Sequence, residues 1–391
     1  MMTALFLLCL TIVAWTYLGY PLLAGLRGRF RARAVTRARF HGSFTLVLAA
    51  HNEAANLGRR LLELREHIAR CGAAGRILVV SDGSTDETAA IARSFSDVDV
   101  LELVENVGKA AALTEASRRA TGDVLVFADA RQTWAEDALA CLLENFADPE
   151  VGAVSGDLVL ESTPGVLAGV GLYWRFEKWL RKQESRAGSQ VGVTGAIAAA
   201  RRELFRAIPP GILLDDVYWP LCVAMEGRRV MHDERAHAFD RLPERSRDEF
   251  RRKVRTLAGN LQLAQALPAS LVPWRNPIWL AWWSHKLLRL AVPWALLGLL
   301  ATSALVSTTW ARLFLGVQTF GYVLGLLGLC TVLSRRSRLL SAAGSFLVLN
   351  AAAWLAFWVW ATGRARSSWS KVQYSSVPPP ALDAHAMTSE R

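Results

Sequence analysis

The sequence predicts an α/β fold, a doubly wound and mostly parallel sheet, with transmembrane helices at both ends of the chain. Three observations carry this reading. Between Ser43 and Gln265, apolar β-branched runs alternate with helix-length segments, the order expected of a parallel sheet covered by helices. Apolar stretches of about 20 residues, long enough to span a bilayer, flank that region. Carboxylates recur where the β-runs end, which is where open α/β sheets bind ligands.

The 391 residues leave room for one sizeable domain and further segments. Lys and Arg number 45 against 34 Asp and Glu, a net charge of +11, and 15 Trp accompany them. The charge is clustered, from Arg27 to Arg39 and from Arg241 to Arg255. A basic, Trp-rich chain with apolar ends suits a membrane. No recognition motif for nucleic acid accompanies the charge, so nucleic acid is not an expected partner. Five Cys, an odd number and without a CxxC pair, exclude a disulfide framework and a zinc site. They read as small buried apolar residues in a reducing compartment.

In chain order, residues 1–26 read as a retained anchor, because the charges follow the apolar run instead of preceding it. Residues 27–42 form a basic linker, placed on the cytoplasmic side by the positive-inside tendency. Residues 43–267 are the α/β domain. Its strands are expected at Phe44–Ala50, Ile77–Ser81, Val98–Leu103, Val124–Ala128 and Val151–Ser155. Leu57, Leu61, Leu64 and Ile68 share one helical face after the first. Tyr173–Ser185 mixes Trp and Phe with charges. It is either a surface helix or one resting at the membrane or an acceptor channel, and its Glu177 and Arg181 have i,i+4 spacing. Residues 268–289, Trp-rich with prolines and bases, suit an interfacial segment. Residues 290–361 hold three expected spans, and SRRSR at 334–338 between the last two falls inside. The polar tail 362–391 then falls outside despite its basic residues, and its composition predicts disorder.

Four acidic signals stand at predicted strand or helix ends: Glu53 in AAHNEAAN, Asp82 and Asp86 in SDGSTD, Asp129 in FADAR, and Asp215–Asp216 in LLDDV. Each has a plain alternative. Glu53 and Asp86 could favour a helix dipole, Asp82–Gly83 could be a turn, and Asp215 could be an N-cap. Their recurrence on one sheet edge favours a ligand site. The dinucleotide fingerprint and the GxxxxGK[ST] loop are absent. NVGKAAA still offers Lys109 to a diphosphate. His232 and His237 are read as flanking a strand, the latter as a structural residue or a metal ligand.

LVLAAHNEAANL, VVSDGSTDET, ENVGKAAAL, GDVLVFADAR and LLDDV, in this order, resemble the family-2 inverting glycosyltransferases of GT-A-type fold. The membrane-bound branch, with cellulose, hyaluronan and poly-N-acetylglucosamine synthases, is the most similar, and the resemblance runs from Ser43 to Gln265. It implies that Ala50, Glu53 and Asp82 hold the base and ribose of a nucleotide sugar, and that Lys109 approaches the diphosphate. Asp129 would stand at the first acidic position of DxD and share Mg2+ or Mn2+ with the diphosphate, as hard cations prefer oxygen ligands. Asp216 would be the general base, with Asp215 and Gly195 on the acceptor side.

Two departures from the family pattern stand out. Arg131 occupies the second acidic position of DxD, so either Asp129 and the phosphates suffice or Arg131 offers charge to the diphosphate. Where processive synthases carry QxxRW, this chain has Arg252, Arg255 and Thr256; Arg255 keeps a cation for the diphosphate, but the aromatic platform is gone. The implied activity is transfer from a nucleotide sugar, expected to be a UDP-sugar, to a saccharide or lipid-linked acceptor in exopolysaccharide or envelope glycan synthesis. The implied setting is a cytoplasm-facing domain on the plasma or inner membrane, among lipids and other synthase subunits. The alternatives are single-sugar transfer to a polyprenyl phosphate and a catalytically weak scaffold subunit.

Overall fold

The structure is a computed structural model that describes residues 1–161, 168–241, 246–306, 308–330 and 337–365. Its centre is an eight-stranded sheet of order β3-β2-β1-β4-β7-β6-β8-β5. The strands are β1 (Ser43–Ala50), β2 (Ala74–Asp82), β3 (Val98–Leu103), β4 (Val124–Ala128), β5 (Thr133–Trp134), β6 (Val151–Glu161), β7 (Ile197–Arg201) and β8 (Arg229–Arg241). β1 lies between β2 and β4, all parallel, which is why its residues are buried on both faces. Alternate side chains of β1 go to opposite layers. Phe44, Leu46 and Leu48 pack with Leu57, Leu61 and Leu64 of α2 (Ala54–Cys71), whereas Val47 and Ala49 face Ala112, Leu113 and Ala116 of α4 (Lys109–Arg119). Between these helices lies the short α3 (Thr88–Arg93).

The sheet is less uniform than the parallel expectation. β7 runs antiparallel to both β4 and β6, and the two-residue β5 runs antiparallel to β8. β6 and β8 are parallel to each other. His232 and His237 lie inside β8 instead of flanking it. The insertion of β7 next to β4 brings the loop before β7 to the carboxyl end of β4. The remaining domain helices are α5 (Ala138–Glu144), α6 (Ala168–Ala187), α7 (Asp215–Met225) and α8 (Ser246–Ala266).

Among the described residues, four helices are long and apolar enough to cross a membrane: α1 (Met2–Phe30), α9 (Trp279–Leu305), α10 (Thr309–Gly328) and α11 (Arg338–Ala361). α9 begins inside the segment expected to lie in the interface and continues into the span. Its Trp282 is fully buried in the domain core beside Leu263. α1 meets α9 through Phe6, Cys9, Ala295 and Leu299. Leu7, Leu8, Leu313 and Phe320 remain exposed, as side chains facing lipid would be. Besides Trp282, docking contacts of the domain on these helices include Leu180 of α6 on Tyr20 and Ala24, and Val254 and Ala258 of α8 on Ala352 and Ala356. Most of the polar tail, from residue 366, and SRRSR up to residue 336 lie outside the described residues.

Gly122 precedes β4 against the β1 backbone, and a Cβ there would lie 2.4 Å from the Phe44 carbonyl carbon and 2.6 Å from the Thr45 nitrogen. Backbone cannot yield as a side chain can, so Gly122→Ala is expected to destabilise the domain by about 1–3 kcal/mol or more. Thermal unfolding of the detergent-solubilised chain measures this; an unchanged midpoint would refute the close approach.

Candidate active site

The cleft lies at the carboxyl ends of β1, β2 and β4. Asp82 ends β2 and is fully buried. Its two carboxylate oxygens accept the backbone N–H groups of Val107 (2.8 Å) and Gly108 (2.9 Å). Two N–H donors on a buried carboxylate offset much of its desolvation. The loop is thereby held with Gly108 at φ +86°, a value that favours glycine, and Lys109 becomes the first residue of α4. From there Lys109 Nζ donates to Asp129 Oδ1 at 2.7 Å. Asp129 follows the last residue of β4, and both side chains keep about 30% of their surface exposed, 28% for Lys109 and 31% for Asp129. Burial alone would lower the Lys109 ammonium, but Asp129, Asp215 and Asp216 raise it above its usual range, so it is charged.

Gly195, in the loop before β7, lies under this pair. A Cβ there would sit 3.1 Å from Lys109 Nζ and 3.9 Å from Asp129 Oδ2, so glycine leaves the pair approachable. Opposite, Asp215 and Asp216 open α7, where the helix dipole favours negative charge. Pro220 sits four residues after Asp216 within this helix and has no N–H to give to the Asp216 carbonyl. Val193 N–H takes that place at 2.8 Å. The proline thus ties the head of α7 to the loop that carries Gly195. Lys109, Asp129, Gly195, Asp215 and Asp216 line one small cavity, floored by Phe127 and Trp219, whose rings lie 5.2 Å apart.

The cavity raises both carboxyls that open α7. Burial and the charge of Asp215 push Asp216 up to about 6, against the pull of Lys109, Arg181 and Lys286. Burial also raises Asp215; Lys109 and Arg255 oppose the rise, and Asp129 adds to it. A carboxylate near 6 is still largely ionised at neutral pH yet basic enough to accept a proton.

The other expected residues are placed around this centre. Ala50 is buried at the end of β1, beside Ser81. Glu53 precedes α2; its carboxylate accepts from Asn56 Nδ2 (2.8 Å) and its N–H donates to Thr88 Oγ1. Arg255 is exposed on α8. Arg131 forks onto Asp240 of β8, with Nε at 3.1 Å and Nη2 at 2.7 Å. His232 and His237 both face Asp157, at 3.7 and 3.6 Å, and burial pushes His232 down to about 4. Among the described residues no group of three or more His, Cys, Asp or Glu forms a metal cage. Asp129 by itself offers a hard oxygen, which suits a cation of the Mg2+ type held by one carboxylate and substrate phosphates. Sequence reasoning missed Trp219, Arg181 and Lys286. The spacing of Pro220 after Asp216 was a readable sign that this carbonyl takes a partner outside its helix.

Residues 45–208 match the profile described as glycosyl transferase family 2. The poly-β-1,6-N-acetyl-D-glucosamine synthase of Staphylococcus aureus (strain COL) is 23% identical over 224 residues, 55% of this chain and 54% of that protein. Its Staphylococcus epidermidis counterpart is 23% identical over 192 residues, 47% of each chain. The chain therefore spans about half the length of the curated relatives it matches. Among solved structures, the mannosyltransferase PcManGT from Pyrobaculum calidifontis, in complex with GDP-Man and Mn2+, aligns with a TM-score of 0.68 at 24% identity. That alignment covers 92% of this chain and 99% of the other, and shows the GT-A-type fold.

Asp82→Asn would turn one acceptor oxygen into an NH2 facing a backbone N–H. The expected cost is about 1–3 kcal/mol, read as a lowered unfolding midpoint. An unchanged midpoint would mean that the carboxylate does not hold the Val107–Gly108 loop.

Proposed function

We propose, from the match of residues 45–208 to the glycosyl transferase family 2 profile, that the chain is a membrane-bound inverting glycosyltransferase. Its donor is a nucleotide sugar, taken to be a UDP-sugar. Its acceptor is a saccharide or lipid-linked glycan of exopolysaccharide or envelope synthesis, met on the cytoplasmic face. The observation that carries this reading is the shared cavity of Asp216 and the Lys109–Asp129 pair: a base and a diphosphate-binding group face one space.

In the proposed step the acceptor hydroxyl oxygen attacks the anomeric carbon from the side opposite the diphosphate. The new C–O bond forms as the bond to the diphosphate breaks, the configuration inverts, and the hydroxyl proton passes to Asp216. Lys109, with Arg255 nearby, neutralises charge on the departing diphosphate. Asp129 would hold Mg2+ or Mn2+ against the diphosphate, and that cation would supply further charge neutralisation. Ala50 and Glu53 frame the nucleoside, and Asp82 acts through the loop that presents Lys109. Arg131 serves by fixing the β4–β8 junction, since its fork is engaged by Asp240. Transfer of a single sugar instead of a polymer is favoured by Thr256, exposed on α8 where processive synthases carry a Trp.

Asp216→Asn is expected to lower transfer about 10²–10⁴-fold without loss of folded protein, measured as nucleoside diphosphate release from a panel of nucleotide sugars. An unchanged rate would remove Asp216 as the base. Because the base works ionised and its carboxyl is raised, the rate should fall as pH drops through about 6, and a limb only near the ordinary carboxylate range would contradict the assignment. Excess chelator should abolish turnover and added Mg2+ or Mn2+ restore it; full activity in chelator would refute the metal role of Asp129.

A further inference from the structure

A cluster of buried charged side chains lies outside the cleft, where α6 meets the membrane helices. Glu177 is 4% exposed. It meets His285 Nε2 at 2.7 Å and accepts from Lys286 Nζ at 3.0 Å and Arg289 Nη1 at 2.7 Å. Arg181 of its own helix stands 3.8 Å away. Two turns further along α6, Glu184 accepts the Tyr20 hydroxyl (2.6 Å) and meets His285 Nδ1 (2.8 Å). The fully buried imidazole of His285 therefore bridges both carboxylates of α6.

Both membrane helices are locally rewound at this level. α1 has a π turn at Trp15–Gly19, directly before Tyr20, and α9 has one at Trp282–Leu287, which contains His285 and Lys286. Trp15 Nε1 donates to Ser284 Oγ between them at 3.0 Å. A π turn redirects the side chains that follow it, and here both turns direct polar groups at α6. Burial of so many ions stabilises little beyond what an apolar junction would; what it supplies is one alignment. That alignment leads to the cleft. After α6 ends at Ala187, Gln190 N–H bonds the Val230 carbonyl at 3.0 Å and Val193 N–H bonds Asp216 at 2.8 Å.

We propose that Glu177 and Glu184, held by His285 and Lys286, are positioning residues that carry the placement of membrane helices α1 and α9 to the Gly188–Gly195 wall of the Asp216 cavity. The same clamp holds two cations, Arg181 at 3.8 Å and Lys286 at 3.0 Å from Glu177, and both pull the Asp216 carboxyl down. The largest charge effects on Asp216 come from these two together with Lys109 of α4 and the adjacent Asp215. The kinetic part of this inference rests on Asp216 as the base; the structural part does not.

The test uses the full chain in lipid vesicles, with Glu177→Gln, Glu177→Asp, Lys286→Met and, as control, Arg65→Ala from the surface pair with Asp97. Hydrogen exchange at the Gln190 and Val193 amides should speed up at least tenfold in Glu177→Gln and Lys286→Met. The β1 and β4 amides, Glu177→Asp and the control should stay within about twofold of the unmodified chain. With the donor that turns over, UDP-N-acetylglucosamine or GDP-mannose, the acid limb of the rate should move to higher pH in Lys286→Met, which loses a cation near Asp216. It should move to lower pH in Glu177→Gln, which leaves the cations uncancelled. Unchanged exchange at both amides, or faster exchange throughout the sheet, would overturn the proposal. A limb that no variant moves would refute its electrostatic part. Unaltered turnover in Asp216→Asn would instead overturn the base assignment and leave the exchange result to decide the clamp.

Discussion

The cleft depends on the burial of one carboxylate. Asp82 is sealed from solvent, so its oxygens need donors, and they accept the backbone N–H groups of Val107 and Gly108. The two loops involved touch backbone to backbone. A Cβ on Gly83, at φ +58°, would lie 2.4 Å from the Asn106 nitrogen. This contact starts α4 at Lys109, brings its ammonium to Asp129, and surrounds that cation with Asp215 and Asp216. A residue read as a nucleoside contact thus organises the Lys109–Asp129 side of the cleft from behind.

Arg131 shows how a motif position can change employment. At the second place of DxD it brings charge of the opposite sign, and its planar fork matches a carboxylate in two bonds. Asp240, which also accepts from Gln132, is that carboxylate. The position joins the end of β4 to the far strand β8 in place of adding a second oxygen beside Asp129.

Much of this was readable in the residues. Val124–Ala128 announces a strand covered on both faces because it is apolar throughout, and Leu57, Leu61 and Leu64 announce a helix by their spacing. The carboxylates at strand ends pointed to the cleft for a physical reason: an interior strand end cannot hold so many of them without a ligand or donors. What could not be read is direction and distance. The small apolar run Ile197–Arg201 looks the same whether it pairs parallel or antiparallel, and β8 hides its alternation under His, Asp, Glu and Arg. Glu177 looked like half of an ordinary helix pair with Arg181. Its shorter contacts are with His285, Lys286 and Arg289, more than 100 residues away in sequence, and no local pattern encodes those.

The docking of α6 on α1 and of α8 on α11 has a kinetic consequence. If these helices cross a bilayer, seating the α/β domain on α1, α9 and α11 would set the height of the cleft above the lipid surface. An acceptor carried by the bilayer would then search for the cleft in two dimensions. Its encounter rate would follow its number per unit area of membrane, and dilution of the surrounding solution would leave that rate unchanged. A water-soluble donor would obey the opposite rule, so the two substrates of one reaction would be counted in different units.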